Sequence, residues 1–225
     1  MTDEALLDEQ SVSSSRSTSS TPGLVAWMML SLLVGVIGFW LGTRREAGPG
    51  MDSPEVGFAR DMITHHAQAV DMATLIRERS TDPELRQIAL DILLTQQAQI
   101  GQMQGWLSTW GYPIASTGPA MSWMGMPVTG LMPGMASPEQ LNQLRGLEGI
   151  QADILFLQLM ITHHRSGVDM GHAAVEKAHR PEVRALAQSM VSAQAQEIDL
   201  METLLQEKGE PMVEEVETQH GTHSP

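Results

Sequence analysis

The pentapeptide MITHH occurs twice, at Met62–His66 and again at Met160–His164. It sits at the centre of a gapless self-match at an offset of 98 residues. The match also pairs Phe58 with Phe156, Asp71 with Asp169, Met72 with Met170, Pro83 with Pro181, Ile100 with Ile198, Met103 with Met201, Leu107 with Leu205 and Gly111 with Gly209. Self-similarity of this kind is an internal duplication, so the two halves are expected to fold alike. Each copy reads as a helical hairpin: a first helix over about 54–80, a break at TDPE or HRPE, a second helix to about 110, and Gly111 or Gly209 as the stop. Ser53–Pro54, Asp82–Pro83 and Ser137–Pro138 each set a capping side chain before a proline at the first helical position, where its missing N–H costs nothing. In the second copy Arg180 stands where the first has the capping Asp82. Each helix carries an apolar stripe too narrow to be stable alone, so two hairpins predict an all-α four-helix bundle with pseudo-twofold symmetry.

Composition agrees with that reading and narrows the chemistry. The chain is rich in helix-forming Ala, Leu, Gln, Glu and Met and holds only 3 Phe, 1 Tyr and 5 Trp. A net charge of −14 with no clustered Lys or Arg excludes nucleic acid as a partner. The absence of Cys removes disulfides, thiolate ligands and cysteine nucleophiles together, and leaves 17 Met as the only sulfur donors.

Before the repeat lies LVAWMMLSLLVGVIGFWLG, residues 24–42, uncharged and close to the ~20 residues that cross a bilayer core, with Trp27 and Trp40 near its ends. The expected organisation is a disordered tail over 1–23, a transmembrane signal anchor over 24–42, a linker over 43–52, a first hairpin over 53–111, a Met-rich loop over 112–137, a second hairpin over 138–209 and a disordered tail over 210–225. Arg44 and Arg45 follow the apolar segment and only Arg16 precedes it, which by the positive-inside rule alone points the bundle to the cytoplasm.

On a helix, Met62, His65, Ala69 and Met72 share one stripe with His66 beside it, and the second copy repeats this with Met160, His163, His164, Gly167 and Met170. The second helix of each hairpin adds Met103 or Met201. Methionine stripes are ordinary core, and a lone histidine is usually hydrogen-bonded to a neighbour such as Asp71 or Asp169. Paired histidines on a methionine stripe, present twice, are harder to place as packing, because a buried unpartnered polar group costs about 1–3 kcal/mol. Thioether with imidazole is a donor set for copper, and for Cu(I) rather than Cu(II), with Ag(I) as its mimic. The loop adds Met121, Met124, Met126, Met132 and Met135, placed to capture or cover an ion.

A di-iron bundle would need Glu-x-x-His in both copies, whereas Glu176 with His179 has only Glu78 with Thr81 as its counterpart. His172 and His179 lack equivalents and read as surface residues, and His220 and His223 as part of a solvated tail. No nucleophile elbow, zinc-protease or phosphate-loop motif occurs, so no enzymatic activity is expected.

The stretches DSPEVGFARDMITHHAQAVDMA and FLQLMITHHRSGVDMGHAA resemble the family catalogued as domain of unknown function 305, whose members include CopM-like copper-binding proteins; the resemblance runs over about 52–209. It implies a ferritin-like bundle exported or anchored outside the cytoplasmic membrane, with copper or silver bound through Met62, His65, His66, Met72, Met160, His163, His164 and Met170, and with Met103 and Met201 as the later helix methionines. The expected function is therefore a membrane-anchored, extracytoplasmic copper protein for sequestration, transfer or resistance. A copper-transfer protein is its natural partner, and homo-oligomers are compatible with it. The alternative is a metal-free, anchored helical scaffold or interaction module.

Overall fold

A computed structural model describes residues 22–43, 48–116 and 118–211, and no strand occurs among them. The expected tails over 1–23 and 210–225, with His220 and His223, lie almost wholly outside the described residues, as do Arg44 and Arg45. The chain divides into two units, residues 1–47 and 48–225. The first contains helix α1 (Pro22–Thr43), whose Val25, Trp27, Leu32 and Phe39 are all exposed. Among the described residues no helix is long and apolar enough to cross a membrane, so the span over 24–42 rests on the sequence alone.

The second unit is built from α2 (Pro54–Arg79), α3 (Pro83–Trp110), α4 (Pro138–Gly146), α5 (Gly149–Lys177) and α6 (Pro181–Glu207). The prolines act as the sequence suggests. Ser53 Oγ accepts the Val56 N–H at 3.4 Å, and Asp82 Oδ1 accepts those of Glu84 and Leu85 at 3.0 and 3.3 Å. Gly111 closes α3 in the left-handed region at φ 81°, donating its N–H to Leu107 and Ser108.

Two features depart from the sequence reading. Ser137 does cap a helix, with a reciprocal Gln140 bond, but α4 is only 9 residues long and the hairpin proper starts afresh at Gly149, whose φ of 58° suits glycine. Arg180 makes no side-chain cap at α6. The Glu55 carboxylate, buried on α2, instead accepts the N–H groups of His179 and Arg180. Although burial pushes Glu55 up, those backbone donors hold its carboxyl below its ordinary range.

Each hairpin packs internally, α2 on α3 and α5 on α6, and the hairpins meet along α2 and α5. The second has a close approach at one glycine. A Cβ on Gly171 would lie 2.7 Å from Val191 and 3.3 Å from the Ala187 carbonyl, whereas the first copy has Ala73 at that position.

The interior separates into two apolar clusters. One joins Met72, Ile76, Leu85 and Ile92 of the first hairpin to Phe156, Met160, Met201 and Leu205 of the second. The other joins Phe58, Met62, Met103 and Leu107 to Met170, Val183, Ala187 and Met190. Between the two clusters, on every long helix of the unit, the buried positions turn polar: His65, His66 and Gln68 on α2, Gln96 on α3, His163, His164 and Ser166 on α5, and Gln194 on α6. The bundle is thus two hydrocarbon cores with a polar layer between them.

Candidate metal centre

The layer forms where α2 and α5 cross. His65 and His163 stack face to face, with ring centroids 3.7 Å apart and planes 30° from parallel, and His163 Nε2 donates to the His65 carbonyl at 3.1 Å. On either side, His66 Nε2 donates to Gln99 Oε1 at 2.7 Å and His164 Nε2 to Glu197 Oε2 at 2.8 Å. The partners come from the facing helix of each hairpin, whereas Asp71 and Asp169 lie exposed. The repeat relates the contacts, since Gln99 and Glu197 are equivalent positions.

All four rings are buried, His65, His66 and His164 at 0% exposure. Burial, followed by repulsion from the neighbouring rings, holds His65 and His163 well below the ordinary histidine value. Burial pushes His66 down to about 4 even though Gln99 pulls it upward. These three rings are therefore neutral at pH 7, which lets two of them stack and leaves a nitrogen lone pair on each. The lone pairs are unused. Nδ1 of His66, His163 and His164 and both nitrogens of His65 have no hydrogen-bond partner, nor do both side-chain polar atoms of Gln96 or Oε1 of Gln194. Each such atom costs about 1–3 kcal/mol if nothing occupies it.

Three imidazoles thus have Nε2–H fixed by a carboxylate, an amide oxygen or a backbone carbonyl while Nδ1 is left free. That is how ligating histidines are commonly oriented, the outer acceptor fixing tautomer and ring plane. Among the described residues no three His, Asp or Glu side chains converge on a point that could hold a metal ion. An ion at this layer would have to draw on sulfur as well as nitrogen, and both flanking clusters contain methionines. Met72, Met160 and Met201 belong to one flanking cluster, and Met62, Met103 and Met170 to the other. The sequence stripes had grouped Met62 with Met72 and Met160 with Met170. The antiparallel crossing separates each pair and combines methionines from both copies.

The Met-rich segment packs on the second cluster. Met121 and Met132 are buried in it, Met124 and Met135 rest against it, and Met126 is 48% exposed. Asp61 Oδ2 accepts the Met121 N–H at 2.7 Å and the Trp123 Nε1–H at 2.9 Å, and the Gln68 amide pairs with both backbone groups of Ala136 at 2.7 and 2.9 Å. Trp123 lies against the bare backbone of Gly57, where a Cβ would come within 2.5 Å. Four of the five methionines therefore cover the cluster that contains Met62, Met103 and Met170.

Sequence reasoning missed Met190, Gln96, Gln194, Gln99 and Glu197. A signal for the glutamines was present: the apolar stripe Ile92, Ile100, Met103 is broken by Gln96, and its repeat is broken by Gln194 at the same register.

The model of the family described as domain of unknown function DUF305 matches residues 55–205. A DUF305 protein from Streptomyces coelicolor shares 45% identity and a TM-score of 0.70, covering 73% of this chain and 99% of that one. A DUF305 fragment from Deinococcus radiodurans shares 38% identity and a TM-score of 0.57, over 68% and 96% of the two chains. CopM, solved in Cu(I)-bound, Cu(II)-bound and silver-bound forms, matches its Cu(I) form at 26% identity and a TM-score of 0.52, over 69% of this chain and 96% of that one. Among curated proteins, uncharacterized protein L153 of Acanthamoeba polyphaga mimivirus is 39% identical over 46 residues, and the match spans 30% of that relative's length and 20% of this chain.

Proposed function

The chain belongs to the DUF305 family, and from that premise we propose that it is a membrane-anchored, extracytoplasmic copper-binding protein that sequesters Cu(I), or its mimic Ag(I), or passes it to a transfer partner. One observation carries the reading. Three buried imidazoles each have one nitrogen tied to an acceptor and the other left without a partner, between two clusters of thioethers, in a chain without cysteine. Neutral imidazole and neutral thioether suit a monovalent soft ion, because no ligand charge has to be buried with it. His65, His66, His163 and His164 supply nitrogen. Met62, Met103, Met170, Met72, Met160 and Met201 supply sulfur, and the segment from Met121 to Met135 covers one cluster. The CopM likeness supports copper as the ion, since that protein was solved with it in both oxidation states. Anchoring by residues 24–42 rests on the uncharged apolar stretch of the sequence. The reading assigns no catalytic step.

The test is competition for Cu(I) between residues 48–225, a compact unit of its own, and a chromogenic chelator. The wild type should withdraw the ion and should melt higher with Cu(I) than without, because a ligand that binds only the native state raises its stability. The variant with His65, His66, His163 and His164 all replaced by Asn should lose most of both effects. A wild type that neither competes nor shifts in melting would favour the metal-free scaffold instead.

A further inference from the structure

The two outer histidines are equivalent by repeat and hydrogen-bonded alike, yet their partners differ by a full charge. His66 donates to the neutral amide of Gln99, and His164 to the carboxylate of Glu197, at nearly the same distance. Both histidine side chains are at 0% exposure and the Glu197 side chain is 22% exposed, so its charge reaches the His164 ring only partly screened by water. A carboxylate drawing on Nε2–H pushes electron density across the ring to Nδ1, and leaves a net negative charge within one residue of any ion held there. Both effects favour a dication over a monocation. An amide oxygen at the same place supplies neither.

Resting on the copper reading above, we propose that Glu197 is the specificity-determining residue of the histidine layer. Its charge allows the His164 side to hold Cu(II), while Gln99 keeps the His66 side selective for Cu(I). Glu197 does not touch the ion; it acts through His164 and is a positioning residue.

Two reciprocal exchanges in the full-length chain separate this role from a structural one. Glu197→Gln keeps the shape and the acceptor but removes the charge. It should weaken Cu(II) binding about tenfold or more, the range of outer acceptors of ligating histidines, while Cu(I) binding changes by less than about threefold. A tenfold change confined to one oxidation state raises the reduction potential of the bound copper by about 59 mV. Gln99→Glu should do the opposite, tightening Cu(II) and lowering the potential. The Cu(II) electron paramagnetic resonance spectrum should change in both variants. Equal weakening of Cu(I) and Cu(II) by Glu197→Gln, or an unaltered ratio in both variants, overturns the proposal and leaves the copper reading standing. A wild-type chain that binds neither ion overturns the copper reading, and the proposal with it.

Discussion

The two hairpins share a backbone plan and solve the same local problem in opposite ways at their turns. Where the first hairpin breaks, Asp82 accepts Lys208 Nζ at 2.7 Å, and Asp153 lies 3.3 Å from the same ammonium. At the equivalent break of the second, Arg180 lies over the Trp110 ring at 5.7 Å. Position 82 corresponds to 180, and 208 to 110, so the contact is preserved while its chemistry changes from acid with lysine to arginine with indole. Both contacts tie a turn of one hairpin to the end of the other. What the duplication conserves is therefore the meeting of these positions, not their charge. Asp82 is held below its ordinary range by its bond to Lys208, and Lys208 above its own by Asp82 and Asp153 in spite of burial.

The strongest challenge to this equivalence comes from its shared core. Phe58 and Phe156 are both fully buried, but Phe58 also meets Trp123 edge to face, with centroids 5.8 Å apart. Phe58→Ala should cost about 3–5 kcal/mol. Phe156→Ala should cost about 0.5–1.5 kcal/mol less, because it forfeits no aromatic pair among the described residues. Urea unfolding of both variants measures the gap, and equal losses would mean that Trp123 contributes no aromatic term.

Next comes the layer that both hairpins build. His65, His66 and His163 have folded-state values below 6.5, so below that pH the unfolded chain takes up protons that the folded chain refuses. The stability they contribute is complete above pH 6.5 and is lost as pH falls through the folded values, on the order of 3 kcal/mol from His66 alone by about pH 4. The urea midpoint of metal-free protein should drop steadily from pH 7 to 4.5. A flat profile would show that the rings titrate freely and that the layer is hydrated.

The smallest effect separates the turns themselves. Asp82→Ala removes both the cap of α3 and the bond to Lys208 and should cost about 1–2 kcal/mol, whereas Arg180→Ala loses no cap and should cost about 0.5–1 kcal/mol. The difference should shrink only as the pH falls through the lowered range of Asp82, because its carboxylate must be protonated before its cap is weakened in the wild type too. Thermal melts over a series of falling pH decide it.

Much of this architecture could be read from local sequence. The proline-marked starts of α2, α3 and α6, the stop at Gly111 and the methionine–histidine stripe all depend on residues within a turn or two of one another. The composition of each methionine cluster could not be read in this way, because it depends on α2 and α5 running antiparallel and crossing at the histidines, a relation between residues about a hundred positions apart. Helix α4 was hidden for a different reason. Ser137–Pro138 is a genuine start signal, but the chain breaks again at Leu147 and Glu148 before Gly149 restarts it. Glu55, which serves the turn at His179 and Arg180 from across the bundle, gave no local hint of that role.

Because each apolar cluster draws side chains from both hairpins, a single hairpin would have no complete core of its own, and two identical hairpins would have to pair as a homodimer to make one. In such a dimer every position occurs twice with the same side chain, so a glutamate beside one histidine would enforce a glutamate beside the other. Joining the hairpins in one chain removes that obligation. Gln99 and Glu197 show the freedom gained: two related places in one interior can be tuned separately, which a symmetric ancestor could not do.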